Sequence, residues 1–201
     1  MVIDLLDEGI HFTNLQNGVQ FDLNGDGKPL YLSWTDPNYH NAWLALDRNH
    51  NGTIGSAQEL FGYLTEPQVP SRDGKRNGWL ASAIYDEPAY GGNGDGVIDA
   101  NDAIYPDLLL WIDSNHDGIS QPGELHHLAE MGVMRIPLAY NHKSYKDDNG
   151  NNFRFENFVG MESQDSEHKL DRHQAWDVVL DASEDPPGNA PMGEPCIVTK
   201  K

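Results

Sequence analysis

Apolar and polar residues alternate in short runs along this chain, and glycine-rich polar phrases interrupt the runs before any long helix can form. Val19-Gln20-Phe21 alternates, Asn24-Gly25-Asp26-Gly27 turns, and Leu30-Tyr31-Leu32-Ser33-Trp34 alternates again, predicting two strands and a turn. Ala42 to Leu46 is an apolar run that feeds Asp47, and Leu108 to Ile112 reads as a buried strand ending at Asp113. Stretches 133–140 and 152–159 read as strands, with Asp147-Asp148-Asn149-Gly150 as the hairpin turn between them. Ala175 to Leu180 reads as a last strand. Three helical segments are predicted: Gly78 to Tyr85, Asp99 to Tyr105 stopped by Pro106, and Pro122 to Met131 closed by Gly132. The stretch 65–78, punctuated by Pro67, Pro70, Gly74 and Gly78, reads as an exposed loop. The expected class is therefore α+β: a small mixed domain of short antiparallel strands and short helices over residues 1–181. Residues 182–201, proline-rich and without periodicity, are expected to be a disordered tail.

The polar phrases carry the candidate chemistry. Asp113-Ser114-Asn115-His116-Asp117-Gly118-Ile119-Ser120-Gln121-Pro122-Gly123-Glu124 sets oxygen-bearing residues at alternate positions, a glycine at position 6 and a glutamate at position 12. Calcium takes six to eight oxygen ligands, and a twelve-residue loop with this spacing wraps it, position 7 giving its backbone carbonyl. The expected ligands are Asp113, Asn115, Asp117, the Ile119 carbonyl, Gln121 and Glu124. A second loop offers Asp47, Asn49, Asn51 and Thr53, with the acid one place late at Glu59 because Gln58 holds position 12. In a third, Asn93, Asp95, the Val97 carbonyl, Asp99 and Asp102 follow the pattern, but its formal first residue is Gly91. Asp86 is expected to supply the first ligand there, with 87–92 looping out. Asp22, Asn24 and Asp26 begin a fourth loop that reaches Ser33 instead of an acid, so a hairpin turn and a metal site both stay open. Asp147 to Asn151 reads as a turn. The expectation is about three bound Ca²⁺ ions, or four with the Asp22 loop. Only ten residues separate Asp102 from Asp113, too few for paired helix-loop-helix units, which points to calcium loops at strand ends.

Composition sharpens this picture. A formal charge of −19 over 201 residues disfavours nucleic acid and anionic membranes as partners, and makes bound cations a natural relief of self-repulsion. Hydrophobic content of 38% with five Trp and eight Tyr argues for a folded chain. A single cysteine, Cys196, excludes an intramolecular disulfide and a cysteine-based zinc cluster. His126-His127 and the pair His168 and His173 lack a zinc-binding arrangement and read as surface histidines. No apolar run spans a bilayer, and the opening residues carry no cleavable signal pattern. Asp36-Pro37 and Asp185-Pro186 are chemically labile bonds whose ordinary use is in turns and linkers. Neither a nucleophile elbow nor a phosphate loop is present.

Taken in order, these phrases resemble a bacterial family. Phe21 to Gly27, Leu46 to Gly52 with Glu59-Leu60-Phe61-Gly62, Gly94 to Asp99, and Leu110 to Leu125 look like the haemolysin-type calcium-binding proteins. More specifically, they resemble the self-processing module of iron-regulated RTX proteins, over roughly residues 3–160. The nonapeptide RTX repeat itself is absent. The resemblance implies a secreted module folded by calcium, which promotes cleavage of an Asp-Pro bond just upstream and joining of the freed aspartyl group to a lysine. Aligned at Ile3-Asp4-Leu5, that bond falls before Met1, and neither of its residues is in this chain. The opening phrase Asp4 to Gly9 departs from the family's Asp-x-Asp-Gly-Asp-Gly form. The expected function is thus a calcium-dependent folding module of an extracellular RTX-type protein, non-enzymatic as it stands. The alternatives are an autoproteolytic module with its junction missing, and a partner-docking module or lanthanide binder.

Overall fold

Three-residue strands cannot persist alone, so the short alternating runs form strands only because neighbours complete their hydrogen-bond ladders. The computed structural model describes residues 1–69, 71, 74–163 and 170–187. In chain order the strands are β1 (Val2–Asp4), β2 (Val19–Phe21), β3 (Leu30–Leu32), β4 (Asn41–Ala45), β5 (Val97–Asp99) and β6 (Leu109–Trp111). They continue as β7 (Leu125–His127), β8 (Val133–Pro137), β9 (Asn141–Lys146), β10 (Asn152–Met161), β11 (Asp171–Val179) and β12 (Ala182–Ser183). A nine-stranded antiparallel sheet runs β5-β8-β10-β11-β1-β4-β6-β7, with β9 also paired to β10. A second sheet of three strands runs β12-β3-β2.

Every residue of β4 is buried, because the large sheet is covered on both faces at its centre. Ala42 and Leu44 face a core shared with Ile3, Leu110 and Trp79 of the helix α1 (Gly78–Ala83). Trp43 and Ala45 face the other core, where the small sheet contributes Phe21, Leu32 and neighbouring Trp34. Trp34 packs between Trp43 and Trp111, at ring-centroid distances of 4.8 and 5.4 Å. Fully burying an indole stabilises the fold by roughly 4–6 kcal/mol of transfer free energy before entropy is counted.

The expected α+β class is overturned: the fold is β-rich and antiparallel, and α1 is the one α-helix among the described residues. The expected helix at 122–131 is instead β7 followed by one 3₁₀ turn, Leu128–Met131. Leu125, His126 and His127 pair with Trp111, Leu110 and Leu109, so the sheet edge captures backbone that local sequence would leave helical. Likewise Val97–Asp99 pairs with β8, and only Tyr105–Asp107 makes a 3₁₀ turn. The hairpin turn at Asp147 to Gly150 exists, but joins β9 to β10 rather than 133–140 to 152–159. Strand β9 was not foreseen. It is exposed along its whole length and carries no apolar alternation. The expected loop at 65–78 is irregular where described, yet Thr65 and Asn77 are wholly buried. Order extends to Ala182 and Ser183, which pair with Leu32 and Tyr31; residues 188–201, with Cys196, lie outside the described residues, as does His168.

Candidate metal centre

Each candidate loop opens on an aspartate at or just beyond the end of a strand or 3₁₀ turn, and backbone N–H groups close around that carboxylate. Asp113 accepts from Asp117 N at 3.1 Å and Gly118 N at 2.9 Å. Asp47 accepts from Asn51 N at 3.1 Å and Gly52 N at 2.8 Å, its fifth and sixth loop positions likewise. Asp86 accepts from Gly94, Asp95 and Gly96, so it stands where a first-position aspartate would. The intervening Pro88–Tyr90 forms a 3₁₀ turn, and the chain doubles back so closely that a Cβ on Gly92 would fall 2.2 Å from the Asp86 carbonyl carbon. Asp22 holds Gly25, Asp26 and Gly27 in the same way.

A fifth copy, not foreseen as a site, opens the chain: Asp4 accepts from Leu6, Glu8 and Gly9. Its signal was the six-residue spacing from Asp4 to Gly9, the same as Asp47 to Gly52. The backbone agrees throughout. Position 6 is a left-handed glycine in all five loops: Gly9, Gly27, Gly52, Gly96 and Gly118. Position 4 is left-handed as well, and Asp7, His50 and His116 are the three non-glycine residues with positive φ among the described residues. Left-handed backbone is unfavourable for such residues, so the carboxylate cradle must hold it in place.

Three loops then close on an acid. Glu124 Oε2 accepts from Gln121 N, Glu59 Oε2 from Gly55 N, and Asp102 Oδ2 from Asp99 N, each donor at the ninth position. Ile112 N donates to the Glu124 carbonyl and Leu46 N to the Glu59 carbonyl, so Glu59, not Gln58, stands where Glu124 does. At the fifth position Asn51, Asp95, Asp117 and Asp26 each accept from the N–H two residues on. Asn49 and Asn93 accept from the fifth-position N–H, while Asn115 donates its side-chain amide to Asp117. Thr53 bonds Asn51 through its hydroxyl, Gln121 donates to Asp117, and Asp99 accepts from Asn101. The Asp22 loop has no closing acid: Ser33 is buried and hydrogen-bonded to Asn151. Asp147 accepts from Asn149 and Asn151, a turn. Asp36 accepts from Asn38, a turn as well.

Among the described residues, no three His, Cys, Asp or Glu side chains converge as a preformed metal cage. The loops would use amides and carbonyls beside carboxylates, and those carboxylates are turned onto loop N–H groups. The donor set nevertheless fits a hard cation, since every candidate side chain presents oxygen. Glu59 Oε1 is buried with no hydrogen-bond partner, an uncompensated oxygen that a cation would satisfy. Burial pushes the Asp113 carboxyl above its usual range; the Gly118 and Asp117 N–H groups oppose this, while the Glu124 and Asp117 charges add to it. Burial raises Asp117 too, but the Ile119 N–H and the Gln121 and Asn115 amides outweigh it and hold the group low.

A separate buried cluster surrounds Met1. Its α-amino nitrogen donates to the Phe61 carbonyl, and burial pulls that group down to about 6, against the attraction of Asp177. Asp177 accepts from Gly78 N at 2.7 Å through Oδ2, while Oδ1 has no partner. Burial raises its carboxyl, opposed by the Met1 amine, the Gly78 N–H and Arg154. Sequence reasoning had no signal for this pairing, because its members stand far apart in the chain.

No helix among the described residues is long and apolar enough to cross a membrane. The iron-regulated protein FrpA of Neisseria meningitidis serogroup C is 34% identical to this chain over 153 residues. That match covers 75% of this chain and 13% of FrpA, so the similarity is to one segment of a much longer protein. The family model described as the SPM domain matches residues 1–180, nearly the whole described fold. The chain belongs to the SPM domain family.

Proposed function

We propose that this chain is a calcium-binding module whose folding depends on calcium, within a secreted bacterial protein of the RTX type. The observation that carries the reading is the repeated loop: an aspartate cradled by its fifth- and sixth-position N–H groups, closed in three cases by an acid at the same relative place. A chain of charge −19 gains from cations that neutralise such loops. Neutral amides at Asn49, Asn51, Asn93 and Asn115 suit sites with dissociation constants on the order of 10⁻⁵ to 10⁻³ M. Such sites stay empty in a low-calcium cytosol and fill outside the cell.

Circular dichroism and thermal melting with calcium against chelator test the reading. At about a hundredfold excess over Kd each site adds about 2.7 kcal/mol. For a chain of this size that raises Tm by roughly 5–10 °C per site. Superimposable curves with calcium and chelator would sink it. A competition titration with a trivalent lanthanide separates calcium preference from general binding of hard cations.

A second reading, self-processing at an Asp-Pro bond upstream of Met1, draws on SPM family membership. Mass spectrometry of the chain extended by its native upstream residues, before and after calcium, tests it. An extended chain that stays intact in calcium removes this reading and leaves the first standing.

A further inference from the structure

We propose that the loops opening at Asp47 and Asp113 bind calcium cooperatively, coupled through the Ser120 hydroxyl; this rests on the calcium reading above. Ile54 N donates to Ser120 Oγ at 2.6 Å, and Ser120 Oγ lies 3.3 Å from the Ile54 carbonyl as donor in return. The two residues are 66 apart in sequence, and each is the eighth of its own loop. Both are buried, at 2% and 3% exposure, so water cannot replace the bond.

Position 8 sits between the two parts of the loop that matter most. On one side is the position-7 carbonyl, of Thr53 or Ile119, expected to face the ion. On the other is the position-9 N–H, of Gly55 or Gln121, which holds the closing carboxylate of Glu59 or Glu124. Fixing positions 7 to 9 of one loop therefore fixes its eighth residue, and the Ser120 bond passes that constraint across. Little slack remains, because Ile54 packs in the same core as Trp111, the last residue of β6 and two residues before Asp113. Gly118 is also wedged against Gln20 and Val19 of β2, and His116 Nε2 is 2.7 Å from the Asn17 carbonyl. The first ion thus orders backbone that the second loop would otherwise have to order for itself, which makes binding positively cooperative.

The test is a calcium titration of the full chain, followed through the Gly52 and Gly118 amide resonances. Both N–H groups sit in the cradles of their own loops. The two signals should share one midpoint with a Hill coefficient above 1. Asp47→Ala should weaken the Asp113 loop by about fivefold or more, the lower range of allosteric couplings. In a Ser120→Ala background the same replacement should leave that loop's affinity unchanged. Separate midpoints with hyperbolic curves in the parent chain overturn the coupling, even if Ser120→Ala fails to fold. So does an undiminished effect of Asp47→Ala in the Ser120→Ala background. A parent chain that takes up no calcium at all overturns the underlying reading instead, and the two failures are distinct.

Discussion

Alanine at Gly118 meets two separate obstacles. Its φ of +71° lies in the left-handed region, where a side chain costs roughly 1–2 kcal/mol. Stiffening of the unfolded chain offsets about 0.4–1 kcal/mol of that. The second obstacle is steric: a Cβ there would fall 2.7 Å from the Gln20 carbonyl oxygen and 2.9 Å from Val19 Cγ2. Gln20 cannot step aside freely, because it is paired with Tyr31 in the small sheet. Overpacking of this kind adds roughly 1–3 kcal/mol. Gly52 and Gly96 supply the control, with φ of +80° and +83° and nothing within 4 Å of where a Cβ would stand. Urea denaturation at one fixed free calcium concentration should therefore rank the variants. Gly52→Ala and Gly96→Ala should each lose about 1 kcal/mol, and Gly118→Ala about 2–4 kcal/mol. Equal losses at the three glycines would refute the claim that the Asp113 loop is docked on β2.

Asp86→Ala should lower calcium stoichiometry by one per chain in equilibrium titration, and unchanged stoichiometry would remove Asp86 from the ligand set. It also strips the acceptor from the Gly94, Asp95 and Gly96 N–H groups, a loss of about 1.5–3 kcal/mol for bonds to a charged group. Asp177→Asn tests the buried carboxyl by pH. Its folded pKa is raised, so its contribution is fully present below the unfolded value of 3.8 and fades as pH rises through the folded value. The Tm of Asp177→Asn relative to the parent should therefore climb as pH rises from about 4 toward neutrality. A flat difference across that range would place the proton elsewhere.

Several strands were legible as short alternating or apolar runs bounded by turn residues, as in Val19-Gln20-Phe21 between Gly18 and Asp22. The loop-out of 87–92 was legible too, and it brings the Asp86 carboxylate onto the Gly94, Asp95 and Gly96 N–H groups. Strand β9 was illegible: Asn141-His142-Lys143-Ser144-Tyr145-Lys146 has no buried face, and its pairing with β10 alone makes it a strand. The class assignment failed at 122–131 for a related reason, since helix-compatible residues were claimed by an open sheet edge.

The amino-acid sequence by itself determined the loops. A carboxylate can close on N–H groups four and five residues ahead without help from the rest of the chain, so spacing alone specifies the turn. Only the tertiary structure decided which loops touch and which segments join the sheet. Ser120 meets Ile54, and Asp177 meets Gly78 and the Met1 cluster, across separations that carry no local signal. Strand partners likewise depend on which backbone edge is left unpaired when the two cores close, and that is a property of the whole chain.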